Sequence, residues 1–308
     1  MKDDTLYSKA EIEAALAVCA SEPVHIPGAI QPFGVLIHFD RALTCVRQVS
    51  ANIEDFLGLS VKESLTGSPQ DLLGRKLHHS LREGFSERDQ LFPGLVVSRS
   101  IAGNIRRFHV NAFQTGDSVV VELEVVEQGA HNRWLLQVNG HLHRLVNTAT
   151  EDALLDELVA AARAFTGHDR TLVYRFDEHW NGRVVAESRN DRLPSLMNHH
   201  FPASDIPSQV RALYEVNPLR FIADAQQDPA PLVPSLETPV DLSVGALRAV
   251  SPLHRHYMRN MGIATSLSVA IYSSTGLWGL LTCHKRDAAM LTPFGRESVA
   301  ILVRVAAQ

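Results

Sequence analysis

The sequence predicts an α+β protein of two domains, each built from an antiparallel sheet with flanking helices. Its 308 residues are enough for about two domains that each bury a core. Short runs rich in Val, Leu, Ile and Phe alternate with capped helical runs in both halves of the chain. The last two strand-like runs, residues 266–272 and 277–283, are joined by Ser-Ser-Thr-Gly. This linker is typical of a hairpin and predicts antiparallel pairing.

The composition excludes several classes of protein. Hydrophobic residues make up 45% of the chain, as in ordinary globular proteins. The net charge of −5 and the lack of a long Lys and Arg run argue against a nucleic-acid partner. The acidic N-terminus has no signal-peptide stretch, and no uncharged apolar run is long enough to cross a bilayer. We therefore expect a cytoplasmic protein without a membrane partner.

The first part of the chain predicts five strands interrupted by short helices. A capping box at residues 8–11 predicts a short helix with Cys19 in its last turn, and the prolines of residues 22–34 prevent its continuation. Strands are predicted at residues 35–39, 43–49, 95–98, 106–113 and 118–126, and helices at residues 50–57 and 69–83. This element order is that of a PAS domain, which we assign to residues 25–130, after an N-terminal segment of residues 1–24.

The second part, residues 131–308, predicts a second antiparallel sheet with helices at its ends. A capping box at residues 148–151 opens a helix that Gly167 ends. Helices are predicted at residues 134–146, 151–165 and 292–307, and strands at residues 171–176, 183–187, 220–223, 266–272 and 277–283. Residues 224–243 contain four prolines and predict a long loop. A loop of that length inside a compact domain is usually functional.

Residues 199–207 form the stretch around which this second part is organised. Pro202 and Pro207 bracket Ala-Ser-Asp-Ile and predict a rigid, non-helical loop that holds the Asp205 carboxylate at a fixed point. An alternative explains the same residues as a helix start. In that case Ser204 or Asp205 caps a helix that begins near Pro207.

Five motifs together resemble the chromophore-binding core of bacterial phytochromes. In chain order they are Cys19 with residues 22–32, Pro-Ala-Ser-Asp-Ile-Pro at 202–207, Arg-Ala-Val-Ser-Pro-Leu-His at 248–254, Tyr-Met-Arg-Asn-Met-Gly at 257–262, and Leu-Trp-Gly-Leu at 277–280 with Cys283-His284. The resemblance covers nearly the whole chain. It implies a PAS domain followed by a GAF domain at residues 131–308. The GAF insertion at about residues 224–243 would be a lasso that forms a figure-of-eight knot with the N-terminal segment.

The resemblance also implies a cofactor, biliverdin IXα, covalently attached through Cys19. The Cys19 thiolate would add to the A-ring vinyl group and form a thioether. Taken in isolation, Cys19 is better explained as a buried helix-end cysteine. Leu253 stands where plant and cyanobacterial phytochromes carry their attachment cysteine, which favours biliverdin. Cys45 and Cys283 lie in predicted strands and are expected to be buried and inert.

The other site residues follow from the same resemblance. Asp205 and His254 would flank the pyrrole nitrogens, and His284 would hydrogen-bond the ring D carbonyl. The propionate contacts would be Arg220, Arg248, Ser251, Ser266 and Ser268, the ring D wall would be Tyr174, Phe201 and Tyr257, and Ile206 and Pro207 would complete the loop beside the chromophore. The alternatives are surface charge for the arginines, outward-facing strand positions for the serines, and core packing for the aromatic residues.

The function implied is that of a red/far-red light receptor module rather than an enzyme. Red light would isomerise the C15=C16 bond of the bilin, a linear tetrapyrrole, and rotate ring D. The expected partners are C-terminal PHY and output domains, often a histidine kinase, and a second copy of the chain bound through the GAF helices. One alternative is a PAS-GAF module that binds a cyclic nucleotide or another small ligand, and a second is a structural or dimerising element. The histidine pairs lack carboxylate or cysteine partners, so we expect no metal site.

Overall fold

The computed structural model describes residues 22–85, 91–127 and 130–308. The predicted first helix and Cys19 lie outside these residues. Two antiparallel sheets with flanking helices follow one another along the chain, which confirms the predicted α+β class and the PAS-then-GAF order. In the described ranges, no helix is long and apolar enough to cross a bilayer.

The first sheet has the strand order β1-β11-β3-β2-β6-β5-β4. Its strands are β1 Ala29–Ile30, β2 Gly34–Asp40, β3 Val46–Ser50, β4 Leu91–Ile101, β5 Asn104–Thr115, β6 Ser118–Val125 and, from much later in the chain, β11 Ala230–Val233. Side chains alternate between the two faces of a strand. On β2, Val35 and Ile37 pack in the core of the PAS domain, whereas Leu36 packs with Leu247 from the second half of the chain. Both faces of this sheet are therefore covered at its centre.

Between β3 and β4, the described residues form four short helices. They are α1 Ile53–Leu57, α2 Val61–Thr66, α3 Pro69–Leu73 and α4 Arg75–Gly84. The prediction of a single helix over residues 69–83 is wrong. Gly74 has a φ of 83° and separates α3 from α4. The sequence analysis also missed α2, although Ser60 and Glu63 form a complete capping box there.

The insertion predicted as a loop contains strand β11, which joins the first sheet. β11 pairs with β1 on one side and with β3 on the other. Leu232 N–H donates to the Gly28 carbonyl at 2.9 Å and Leu242 N–H donates to the His25 carbonyl at 2.8 Å. The insertion therefore bonds to the segment around β1 at two points, and residues 247–249 bond to β1 as well. The figure-of-eight knot itself stays a prediction.

The second sheet has the strand order β10-β12-β13-β7-β8-β9. Its strands are β7 Arg170–Phe176, β8 Gly182–Arg189, β9 His200–Phe201, β10 Leu219–Ile222, β12 Thr265–Ser273 and β13 Gly276–Lys285. The predicted hairpin joins β12 to β13. On β12, Leu267 and Val269 pack in the core against the helices, so Ser266 and Ser268 point to the opposite face. This alternation makes one face of the sheet a hydrophobic core and the other face the wall of a cavity.

Five helices of the described chain flank the second sheet. They are α5 Ala130–Leu145, α6 Glu151–Thr166, α7 Ser208–Val216, α8 Pro252–Asn260 and α9 Pro293–Ala306. The hydrophobic core of the GAF domain lies between the sheet and α5, α6 and α9. The capping box predicted at residues 148–151 places the N-cap of α6 two residues too early. The N-cap is Thr150, whose hydroxyl accepts from Ala153 N–H.

The two cysteines within the described residues differ in their surroundings. Cys45 is exposed and precedes β3, so the expectation that it is buried in a strand is wrong. Cys283 is buried in β13, and burial raises the pKa of its thiol to about 12. At neutral pH the Cys283 thiol is protonated and is therefore a poor nucleophile.

Candidate functional site

A cavity of about 920 Å³ lies between one face of the GAF sheet and the segments that carry α7 and α8. This volume is at the upper end of the range of about 300–1,000 Å³ that is usual for small-molecule sites. The floor of the cavity is formed by alternate residues of the central strands, including Tyr174 on β7, Ser268 on β12 and Thr282 on β13. The period of two along each strand thus determines which side chains reach the cavity.

Every predicted site residue that the structure describes lines this cavity. They are Tyr174, Phe201, Asp205, Ile206, Pro207, Arg220, Arg248, Ser251, His254, Tyr257, Ser266, Ser268 and His284. The remaining one, Cys19, lies outside the described residues. Arg248 and Ser266 are 8% and 7% exposed, so the alternatives of surface charge and an outward-facing strand position do not describe them.

Asp205 lies in a rigid loop at the rim of the cavity. A 3₁₀ turn over Ala203–Asp205 precedes α7, and the N-cap residue of α7 is Pro207, with no side-chain hydrogen bond. The alternative in which Ser204 or Asp205 caps this helix is therefore wrong. Arg211 supports the loop by donating to the Ile206 carbonyl at 2.5 Å. Partial burial raises the pKa of the Asp205 carboxyl, and the Tyr257 hydroxyl lies 3.5 Å from it.

His254 projects into the cavity from the first turn of α8. Ser251 caps this helix, because its hydroxyl oxygen accepts from Leu253 N–H at 3.2 Å and from His254 N–H at 3.4 Å. The same hydroxyl donates to the Glu22 carboxylate at 2.6 Å. The His254 residue is exposed to the open cavity, yet desolvation by the surrounding protein, followed by the nearby charge of Arg220, lowers its pKa to about 4. The imidazole is therefore neutral at neutral pH.

Two arginines form a cationic wall on the side of the cavity nearest the PAS domain. Arg220 Nη2 donates to the carbonyls of Arg248 and Ala249 at 2.7 and 3.1 Å. Arg220 Nη1 is buried and has no hydrogen-bond partner among the described residues. Burial and the charge of Arg248 lower the pKa of Arg220 to about 9, and burial also lowers the pKa of Arg248. Such an unpaired, desolvated donor favours an anionic ligand group.

The opposite end of the cavity is aromatic and contains a neutral histidine. The rings of Tyr174 and Phe201 lie 5.7 Å apart. Arg170 Nη2 lies 3.1 Å from His284 Nδ1, and burial together with the Arg170 charge holds the pKa of His284 well below its usual value. An arginine can only donate, so Nδ1 accepts and the proton of the neutral ring is on Nε2. His284 can therefore present an N–H donor at this end.

Comparison with known proteins identifies the family. A family described as a PAS fold matches residues 19–126, and one described as a GAF domain matches residues 150–308. The chain is 38% identical over 280 residues to cyanobacterial phytochrome B of Nostoc sp., covering 88% of this chain. It is 36% identical over 288 residues to the bacteriophytochrome of Xanthomonas campestris pv. campestris, covering 87% of this chain. The chromophore-binding domain of a bacteriophytochrome from R. palustris matches with a TM-score of 0.84 at 33% identity, covering 94% of this chain and 96% of that one. The chain belongs to the phytochrome family.

This phytochrome-family chain corresponds to the PAS and GAF part of longer relatives. It spans 37% and 43% of the lengths of the Nostoc and Xanthomonas proteins. The photosensory core module of the Stigmatella aurantiaca phytochrome matches with a TM-score of 0.85 at 33% identity, and the chain covers 59% of that module. The phytochromes that it resembles therefore contain further segments beyond those matched here.

The sequence analysis missed several residues of this phytochrome-type site. Glu22 and Tyr214 line the cavity, and Glu22 is bonded to the Ser251 cap. The position of Glu22 between Cys19 and a proline-rich run gave no sign of a contact with α8, which is more than 200 residues away along the chain. Among the described residues, no group of three His, Cys, Asp or Glu side chains could hold a metal ion.

His168 lies behind the cavity wall and predicts a pH dependence of stability. It is 3% exposed, and neither ring nitrogen has a hydrogen-bond partner within the described ranges. Burial, followed by the charge of Lys285, lowers the pKa of His168 from 6.5 to about 4. Because the unfolded chain binds this proton more tightly, the stabilisation is complete above pH 6.5 and is lost as the pH falls towards 4. From pH 7.5 to 5 this single group is expected to lose about 2 kcal/mol.

Urea denaturation at pH 7.5 and pH 5 tests this expectation. A His168→Leu variant has no group to protonate at this position, so its free energy of unfolding should fall by about 2 kcal/mol less than that of the parent. The matched control is the same substitution at His179, whose side chain is 77% exposed in the same domain. An equal fall in the parent and in His168→Leu would contradict the assignment.

Proposed function

We propose that this chain is the light-sensing part of a red/far-red photoreceptor, which holds biliverdin IXα in the GAF cavity through a thioether from Cys19. One observation carries the proposal. The thirteen described residues that the resemblance to phytochromes assigns to the chromophore all line a single cavity. They come from strands, helices and loops between residues 174 and 284, so their meeting is a property of the fold and not of local sequence.

The chemistry of the cavity fits a linear tetrapyrrole with two carboxylates. Its lining combines apolar side chains with the cationic wall of Arg220 and Arg248. The unpartnered Nη1 of Arg220 would bond one propionate, and the hydroxyls of Ser266 and Ser268 are further donors at the cavity wall. The Ser251 hydroxyl also lines the cavity but already donates to Glu22. The bilin, when bound, supplies absorption of red light and isomerisation about one methine double bond.

Cys19 precedes Glu22 by three residues in the sequence. Glu22 lies at the cavity wall, where its carboxylate accepts from the Ser251 hydroxyl at 2.6 Å. Three residues of extended chain span at most about 10 Å. A chain held at Glu22 can therefore bring the Cys19 sulfur to the rim next to α8. This reach supports the attachment through Cys19 rather than through Cys45, which lies exposed beside the PAS sheet.

The protein's own groups would orient the ligand and hold its protons. The neutral His254 ring can accept a proton at one nitrogen, and Asp205 can accept hydrogen bonds from pyrrole N–H groups through its carbonyl. The Nε2–H of His284 can donate to a carbonyl at the aromatic end. Tyr174, Phe201 and Tyr257 would limit the space into which a terminal ring can turn. The protein thus contributes orientation, charge and steric selection.

An absorption spectrum after incubation with biliverdin tests the proposal. The parent chain is expected to gain a red absorption band and to show zinc-induced fluorescence on a denaturing gel. A Cys19→Ser variant should lose the gel fluorescence because no thioether can form. Cys45→Ser is the matched control and should keep it. A parent that gains no red band would overturn the photoreceptor proposal and leave a PAS-GAF module for another ligand.

The remaining parts of the proposal concern the whole protein. We propose that it acts in the cytoplasm, that C-terminal PHY and output domains follow this chain, and that the output is a histidine kinase. We also propose that two copies pair through their GAF helices. The greater length of the phytochromes that this chain resembles supports the presence of further domains. The location, the kinase output and the pairing are carried over from the resemblance to the family. No enzymatic activity is assigned to the PAS-GAF part itself.

A further inference from the structure

Glu122 is a buried carboxylate of the PAS domain that bonds to the GAF domain. It lies at the centre of strand β6 and is 0% exposed. One carboxylate oxygen, Oε2, accepts from Asn111 Nδ2 at 2.7 Å and from Ala246 N–H at 2.8 Å. The other, Oε1, accepts from Leu247 N–H at 3.0 Å. Two of its three donors are therefore consecutive backbone groups of the other domain.

These two backbone groups directly precede Arg248 of the cationic wall. Fixing the N–H groups of Ala246 and Leu247 fixes the direction in which the chain enters Arg248. The chain approaches Glu122 closely at Gly245, where a Cβ atom would lie 2.9 Å from Glu122 Oε1 and 3.2 Å from the Leu242 carbonyl oxygen. Any other residue at position 245 would push the carboxylate away or shift the backbone.

Glu122 also acts on both arginines through its charge. Burial raises the pKa of Glu122 itself to about 7. In its ionised form the carboxylate raises the pKa of Arg220 and of Arg248, in opposition to the larger effect of burial on both arginines. Neither arginine forms an ion pair with a carboxylate in the described part of the chain. The Glu122 charge therefore stabilises the protonated forms of both arginines from a distance, while Arg220 Nη1 has no hydrogen-bond partner among the described residues.

We propose that Glu122 is a positioning residue for the cationic wall, so that a PAS side chain sets the affinity of the GAF cavity for the carboxylates of its ligand. The proposal rests on the proposed function, since it names the bilin propionates as those carboxylates. A purely structural contact would have no reason to favour one ligand group. Glu124, two residues along the same strand, is such a contact, because it pairs with Arg296 on α9, which is not among the residues lining the cavity.

The test compares biliverdin with its dimethyl ester, which lacks the two carboxylate charges. Equilibrium binding of each compound is measured in a Cys19→Ser background, where no covalent bond forms. The further change Glu122→Gln leaves one of the Ala246 and Leu247 N–H groups without its acceptor and is expected to displace Arg248. Binding of biliverdin should weaken by about tenfold or more, the effect of losing one charged hydrogen bond between the displaced wall and a propionate. The affinity for the ester should change by less than about twofold.

Two further variants separate positioning from folding. Gly245→Ala displaces the same carboxylate without removing its charge, and it should show the same selective loss of affinity for the free acid. Glu124→Gln changes the neighbouring domain contact and should leave the ratio of the two affinities as in the parent. If Glu122→Gln does not fold, the affinities for biliverdin and its ester are compared in Gly245→Ala instead.

The outcomes distinguish this inference from the proposed function. A parent that binds neither compound refutes the proposed function, and the inference fails with it. A parent that binds both, with equal losses for acid and ester in Glu122→Gln, refutes the inference alone. Amide hydrogen exchange of the ligand-free protein gives a separate readout. Exchange at Ala246 and Leu247 should become faster in Glu122→Gln, and unchanged exchange there would overturn the positioning role.

Discussion

The Glu124→Leu variant is expected to lose about 3–5 kcal/mol of unfolding free energy, because it leaves a buried arginine without its carboxylate. Arg296 Nη2 donates to both oxygens of Glu124, at 2.5 and 2.6 Å, and the two side chains are only 5% and 4% exposed. The Arg296 guanidinium also lies over the rings of Phe33 and Phe221, so water cannot replace the lost partner. Urea denaturation followed by circular dichroism measures the loss.

A double variant provides the control for this ion pair. Glu124→Leu combined with Arg296→Met removes both charges and replaces them with apolar side chains of similar volume. Such replacements are often neutral or stabilising, so the double variant should be more stable than Glu124→Leu alone. Losses that simply add would show that the charge pair is not the cause. The pair joins β6 of the PAS domain to α9 of the GAF domain, so the same experiment measures how strongly the two domains stabilise each other.

The Gly182→Ala variant is expected to displace the Tyr174 ring from the cavity wall. A Cβ atom at position 182 would lie 1.6 Å from Cζ of Tyr174, and neither β-strand can move away within the sheet. The Tyr174 ring is held by edge-on contacts with Phe176 at 5.3 Å and by Phe201 at 5.7 Å, so its displacement disturbs the aromatic cluster as well. We expect a loss of about 1–3 kcal/mol or more from overpacking. Near-ultraviolet circular dichroism should show the aromatic change.

Two controls accompany this variant. Gly140→Ala places the same methyl group in α5, where no atom lies within 4 Å, and it should be neutral or slightly stabilising. Gly182→Ala combined with Tyr174→Leu removes the colliding ring atoms. The double variant should therefore lose less stability than the sum of the two single variants. Additive losses would mean that the collision is relieved elsewhere in the sheet.

The residues of the cavity were predicted from the resemblance to phytochromes, and local patterns predicted the strands and the loop that carry them. The alternation of Ser266, Leu267 and Ser268 already separates a polar face from an apolar one, and the structure has the serines on the cavity side. The two prolines around Ala-Ser-Asp-Ile gave a rigid loop, and this loop is present. Patterns within a few residues thus gave the strands and turns, whereas the caps of α6 and α7 lie at other residues than those predicted.

The contacts between distant segments could not be predicted in this way. Strand β11 lies in a proline-rich run that resembles a loop, and only its pairing with β1 and β3 makes it a strand. Glu122 and Glu124 fit the polar face of an ordinary half-exposed strand, yet both are buried because the GAF domain covers that face. Gly74 breaks the helix, but the helical sequence pattern on both sides of it concealed this break. In each case a partner remote in sequence, or one backbone angle, decides the outcome.

The strand contributed by the insertion also constrains the order in which the protein can fold during synthesis. Pairing of Ile30 with Ala230 and of Val49 with Val233 brings together residues separated by about two hundred positions. Contacts of such long range form slowly, because the intervening chain must first be closed into a loop. Until the ribosome has released the insertion, β3 has an unpaired edge, and unpaired edges are sites of aggregation. The PAS domain is first in sequence, yet its sheet is completed only after much of the GAF domain has been made.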